Sequence, residues 1–155
     1  MELERLQLDL FDLHTIVNLS KEILGQDNFE RMGYREWKTW MKRGMLVFSL
    51  KTDNQCIGLG TVSFYDKQNR ITKPCFGQMA TLDNGQIHPL HRGHYYQKNL
   101  IEYRIEYILS LGIEEIYTKV HKNNIASIKN IEASGFIYDG MYERGVRAYQ
   151  YKIQS

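Results

Sequence analysis

Apolar residues recur along this chain with two different periods, and the change of period divides it. The first residues, ELERLQL, alternate and predict an edge strand. From Asp9 to Gly25 the period becomes helical, with Leu13, Ile16, Val17 and Leu24 on one face and Gly25 as the stop. A loop, QDNFERMG, leads to a second helix, YREWKTWMKRG. There Trp37, Trp40 and Met41 keep helical spacing and Gly44 ends the run. This aromatic stripe reads as core rather than as a ligand site. The period then falls to two. MLVFSLK, CIGLGTVSFY and FGQMATLDNGQIH predict three strands, joined by the turns TDNQ and DKQNRITKP, so they form an antiparallel meander. After Arg92 a helix returns, striped by Leu100, Ile101, Ile105, Ile108 and Leu109 and capped at Gly112. EEIYTKV is a strand and NNIASIKNIEASG a helix. FIYDGMY and VRAYQYKI close the chain as strands.

The predicted order is β-α-α-β-β-β-α-β-α-β-β. The segment from Asp83 to Val120 is a strand-helix-strand crossover, so its two strands run parallel. The expected architecture is α/β (α+β): a mixed, mostly antiparallel sheet of about seven strands flanked by four helices.

Bulk properties narrow the class. A length of 155 residues suits one domain, taken as 1–155, with a real core. Hydrophobic residues make up 43% and charged ones 25%, ordinary for a soluble globular protein. A net charge of +2 is too small to argue for nucleic acid. No signal peptide and no run long enough for a membrane span are expected. Cys56 and Cys75 have no CxxC or metal spacing and read as free, buried thiols of a cytoplasmic protein.

Two segments carry chemistry. In IHPLHRGHYY, a strand passes through a basic turn into a helix. A helix start offers unpaired N–H groups and partial positive charge, Arg92 adds a fixed cation, and Gly93 allows close approach. Alone this could be an ordinary loop with a solvated arginine. Some 30 residues later, VHKNNIASIKNIEASGF puts Asn124 and Ser127 in the first turn of another helix. Helix capping accounts for one of the two asparagines, not both, and leaves Ser127 unexplained. His88, His91 and His94 are spaced H-x-x-H-x-x-H, but around a proline and a glycine their nitrogens should diverge, so no metal is expected.

IHPLHRG resembles the V-x-P-x-x-R-G segment of the GNAT superfamily of N-acetyltransferases. VHKNNIASIKNIEASGF resembles that family's V-x-x-x-N-x-x-S-x-x-x-x-x-x-x-G-F segment, and the element order is similar to the family's. The resemblance implies acetyl-CoA as donor. Its pantetheine arm would lie along the strand ending at Gln86, Ile87 and His88. Its pyrophosphate would sit on the turn Arg92, Gly93, His94, Tyr95, Tyr96 and Gln97. Asn124 and Ser127 would complete the donor site. The chain departs from the family at Tyr95, where the turn ordinarily has glycine. It departs again at Ile131, where the family often places a tyrosine as general acid. Tyr138 and Tyr142 are the remaining acid candidates, with packing in the sheet as the alternative.

An alkylamine acceptor has a pKa of roughly 10.4, so at pH 7 only about one molecule in 2,500 is neutral, a handicap of roughly 4.6 kcal/mol. A base is therefore wanted. Asp83 is the candidate, since strand alternation should place it on one face with Gly85 and Ile87. Asp27 and Glu30, in the loop between the first helices, could bind a cationic acceptor. No cysteine lies in either motif, which favours direct attack over a covalent enzyme intermediate. The expected protein is an N-acetyltransferase acting on a primary amine, as monomer or homodimer. The rival is a catalytically silent acyl-CoA-binding module, suggested by Tyr95 and Ile131.

Overall fold

The computed structural model describes residues 2–6, 17–18, 21, 34–53 and 55–153. The elements in chain order are β1 (Glu2–Leu6), α1 (Tyr34–Lys42), β2 (Leu46–Thr52), β3 (Gln55–Tyr65), β4 (Ile71–Thr72), β5 (Met79–Ile87), α2 (Tyr96–Ser110), β6 (Glu115–His121), α3 (Ile125–Ala133), β7 (Phe136–Glu143) and β8 (Val146–Tyr151). Most of the helix expected from Asp9 to Gly25 lies outside the described residues, but Val17, Asn18 and Lys21 within it are helical. The described part thus has three full α-helices where four were expected.

Seven strands form one path, β1-β2-β3-β5-β6-β8-β7, and β4 pairs β3 off that path. Every pair is antiparallel except β5–β6, which is parallel as the crossover requires. The two-residue β4 falls inside a stretch read as turn. Two residues give no period to detect. Pro74–Phe76 and Pro89–His91 are short 3-10 turns.

The sheet buries both faces. On one, α2 and α3 cover a core that includes Phe48, Val62, Phe64, Leu82, Leu100, Ile105, Ile108, Ile131 and Tyr149. On the other, α1 packs Trp37 and Met41 against Met45, Val47 and Leu59. Trp37 is fully buried, so the aromatic stripe is core. Each such side chain contributes about 1.5–3 kcal/mol by leaving water. Burial on both faces also explains β3, where eight consecutive residues from Ile57 to Phe64 are buried and alternation is lost. Neither cysteine forms a disulfide among the described residues, but only Cys56 is partly buried. Cys75 is exposed, because the proline before it starts a surface 3-10 turn instead of a strand.

Candidate active site

The site begins where two strands part. β5 and β6 pair only from Met79–Glu115 to Leu82–Thr118, and the Thr118 hydroxyl donates to the Leu82 carbonyl at 2.7 Å as the last tie. Both strands continue, β5 to Ile87 and β6 to His121. Beyond Leu82 the edge of β5 that faces β6 has no strand partner among the described residues. An unpaired strand edge is a row of donors and acceptors available to a ligand.

A bulge shapes that edge. Thr61 pairs with Asp83 and Leu59 with Gln86, so three steps on β5 oppose two on β3. Asn84 takes the left-handed conformation, φ 54°. Its amide donates to the Thr61 hydroxyl at 3.1 Å, and that hydroxyl donates to the Asp83 carbonyl at 3.1 Å. The bulge overturns one expectation. Asp83 does not share a face with Gly85 and Ile87. Its partner Thr61 pairs with Val47 of the α1-side core, so Asp83 faces α1. Gly85 and Ile87 face α2. The extra residue shifts the alternation by one place. The Asp83 carboxylate is half-buried and accepts from the Thr81 hydroxyl at 2.9 Å, which fixes its orientation.

Gln86 lies on the same face as Asp83. Its Oε1 is buried without a hydrogen-bond partner among the described residues, as are Trp37 Nε1 on that side and Gln97 Oε1 on the α2 side. Such atoms cost about 1–3 kcal/mol each when left unpaired.

Sequence reasoning missed Arg104. It is 2% exposed, on α2. Its Nη1 donates to the carbonyls of Thr61 and Asp83, both at 3.0 Å, and its Nε donates to Leu100 O at 3.2 Å. Burial pulls its pKa down to about 10, while the charge of Asp83 acts in the opposite direction. A signal was present: an arginine inside the apolar stripe between Leu100 and Ile105.

At the end of β5 the chain makes the basic turn. His88 is buried, and its Nδ1 accepts from the Leu90 N–H at 3.2 Å. Arg92 donates from Nε to Ile87 O at 3.1 Å, which ties the turn back to the strand. From Gly93 to Lys98 no backbone N–H has an acceptor among the described residues; the first helical bond of α2 runs from Asn99 N to Tyr95 O. Tyr95 caps α2 without any side-chain bond and has φ 62°. A helical φ with the ring turned onto Leu100 would have made tyrosine unremarkable here. Instead it sits in the left-handed region that favours glycine, with its ring 76% exposed. Tyr96 packs on the core, and His94 lies against it with ring centroids 5.5 Å apart.

The second motif is arranged differently. Asn124 is the N-cap of α3, and its Oδ1 accepts from Ser127 N at 3.2 Å. Ile131 is buried in the core. Tyr138 is on β7, three positions from β5 in the sheet, half-exposed, stacked edge-on to Tyr149 with Arg147 over its ring. At about 4.8 Å per strand that separation is roughly 14 Å, so Tyr138 is not brought to Asp83. Tyr142 is likewise exposed, under Lys119. Asp27 and Glu30 lie outside the described residues.

The model of the acetyltransferase (GNAT) family matches residues 10–136, and the chain belongs to that family. It is an acetyl-CoA-dependent N-acetyltransferase, transferring the acyl group to an amine. Solved structures share the fold. The GNAT domain of S. lividans PAT superposes with TM-score 0.81 at 12% identity, over 97% of this chain and 89% of that one. The PaiA N-acetyltransferase of Thermoplasma acidophilum, in complex with coenzyme A, gives 0.76 at 16% identity over 99% and 100%. A variant of the spermidine N-acetyltransferase SpeG of Vibrio cholerae gives 0.72 at 19% identity over 97% and 94%. No curated protein sequence matches the chain.

Proposed function

We propose that the wedge between β5 and β6 is the acyl-transfer site. The unpaired edge of β5 beyond Leu82 is the observation that carries this reading. The pantetheine amides of acetyl-CoA extend the sheet there, against the backbone of Asn84, Gln86 and Ile87. The pyrophosphate takes the N–H groups of Gly93 to Lys98, which have no acceptor among the described residues, with the Arg92 guanidinium beside them. Asn124 and Ser127 border the opposite wall, Asn124 through its amide N–H because its oxygen is spent on the cap.

The acceptor is a primary amine reaching the thioester from the α1 side, which Asp83 and Gln86 face. Asp83 takes the ammonium proton, and the neutral amine attacks the thioester carbon directly. The hydrogen bond from Thr81 keeps the carboxylate aimed while it remains the stronger acceptor. Asp27 and Glu30 are the proposed outer part of the acceptor site.

A panel of amines screened for CoA release tests the activity and identifies the acceptor class. No release with any amine would contradict the reading. Asp83→Asn is expected to lower kcat by about 10²–10⁴ at neutral pH. The deficit should shrink as pH rises towards the amine pKa, because free amine then needs no base. A loss that is the same at every pH would make Asp83 a structural group.

A further inference from the structure

Arg104 occupies a niche made for it. A Cβ on Gly60 would lie 2.5 Å from its Cζ and 2.8 Å from Nε and Nη1. A Cβ on Gly85 would lie 3.4 Å from Nη2. The guanidinium therefore lies across β3 and β5 at the bulge, over Gly60, where a Cβ would collide with it, while the space over Gly85 is taken by Gln97 Nε2 at 2.5 Å from such a Cβ. Its hydrogen bonds go to three neutral carbonyls and none to a carboxylate. Nη2 has no hydrogen bond among the described residues and is the nitrogen on the Gly85 side. Burying a cation without a bonded counter-charge is costly, and an aliphatic side chain could fill the same space on α2. The guanidinium sits over the β3–β5 seam, about one strand spacing from the edge of β5 left unpaired towards β6, and a cost borne at this one place points to use of the charge.

The reaction supplies a use. As the amine attacks, a C–N bond forms, the C–S bond breaks and its electron pair goes to sulfur. Of the two protons the ammonium loses, the first goes to Asp83. The second leaves nitrogen as the amide forms and ends on sulfur. Between these events the sulfur is a thiolate. No proton donor from α3 meets it at position 131, where Ile131 is packed into the core. Among the described residues, Asp83 is the charge that acts on Arg104, and β6 ends its pairing there with the neutral Thr118. When Asp83 takes a proton its charge is neutralised, and the field of Arg104 stands unopposed as negative charge builds on sulfur.

We propose that Arg104 is an electrostatic positioning residue for the leaving group: its buried guanidinium, seated between Gly60 and Gly85 against the β5 bulge, stabilises the departing CoA thiolate. This rests on the reading of the β5–β6 wedge as the acyl-transfer site.

The test is an ultraviolet titration of the thiol of CoA bound to the full chain, with calorimetry on the same samples. The reference is the thiol of free CoA, titrated in the same buffer. In the parent protein the bound thiol is expected roughly one to two pH units lower, as for a cation several ångströms away in a partly desolvated site. Arg104→Met should return it to the free value or above, and Arg104→Lys should keep part of the shift. In Arg104→Met, kcat should fall by about tenfold or more with KM for acetyl-CoA changed by less than about threefold. A parent thiol that titrates at or above the free value overturns the proposal, and needs no variant to fold. So does an equal shift in the parent and Arg104→Met. Absence of any CoA binding sinks the wedge reading together with this proposal. Binding with an unshifted thiol sinks this proposal alone.

Discussion

The chain passes twice from a strand through a short turn into a helix on the same face of the sheet, and it treats the two helix starts in opposite ways. Between β6 and α3, Asn124 caps the helix by accepting from Ser127 N, and the ring of His121 accepts from Asn123 N at 3.2 Å. The turn is bonded within itself. Between β5 and α2, Tyr95 at the cap position makes no side-chain bond and has a left-handed conformation, and the N–H groups from Gly93 to Lys98 have no acceptor among the described residues. A helix start must find acceptors for its first N–H groups. The turn that supplies its own has little left to offer a ligand. The turn that supplies none, and adds Arg92 at its edge, is ready for an anion. On the proposed reading, similar architecture separates into a mainly structural joint and a binding turn, and the hydrogen bonds distinguish them more sharply than the motifs do.

Substitutions in the two turns should therefore be felt in different measurements. The largest effect is expected from Arg92→Ala, which should weaken CoA binding by about 1.5–3 kcal/mol, tenfold or more, for a charge-assisted phosphate contact. Calorimetry at two salt concentrations checks it, since the loss should shrink as salt rises. Unchanged affinity would reduce Arg92 to a tie for the turn through Ile87 O. Asn124→Ala should act on the other quantity. It removes the cap of α3 and should lower stability by about 1 kcal/mol in denaturant unfolding. Its effect on CoA affinity should be smaller than that of Arg92→Ala. If affinity fell more than stability, the two turns would both be binding turns and the contrast would fail. Tyr95→Gly should have the smallest effect and the opposite sign. Glycine relieves a left-handed φ at an exposed ring, so stability should rise by up to about 1 kcal/mol, with affinity changed by less than about tenfold. A loss of stability would mean that the ring makes contacts worth more than the strain.

Much of this fold is visible in the residues. The stripe Leu100, Ile101, Ile105 and Ile108 has the period of a helix on a core, and the crossover from β5 to β6 dictates parallel pairing. The two motifs could be read because each is a contiguous run whose residues meet one turn. What could not be read depends on pairing across the chain. The bulge at Asn84 is a register relation between β5 and β3, and it is what turns Asp83 towards α1. The niche of Arg104 joins Gly60, Gly85 and Leu100, which are distant in sequence. Tyr95 was legible as an oddity, but its φ depends on where α2 begins, and a one-residue shift in that boundary exchanges a helical residue for a strained cap. The missing acid is half legible. Ile131 is plain in the sequence, whereas the strand order that removes Tyr138 from the site is not.

Amide hydrogen exchange with and without CoA tests the contrast between the two turns most directly. Bound CoA should slow exchange at Gly93 to Lys98 and along Asn84 to Ile87, and change Asn123 to Ser127 much less. Strong protection at Asn123 to Ser127, with none at Gly93 to Lys98, would contradict the assignment of the β5–α2 turn as the phosphate site.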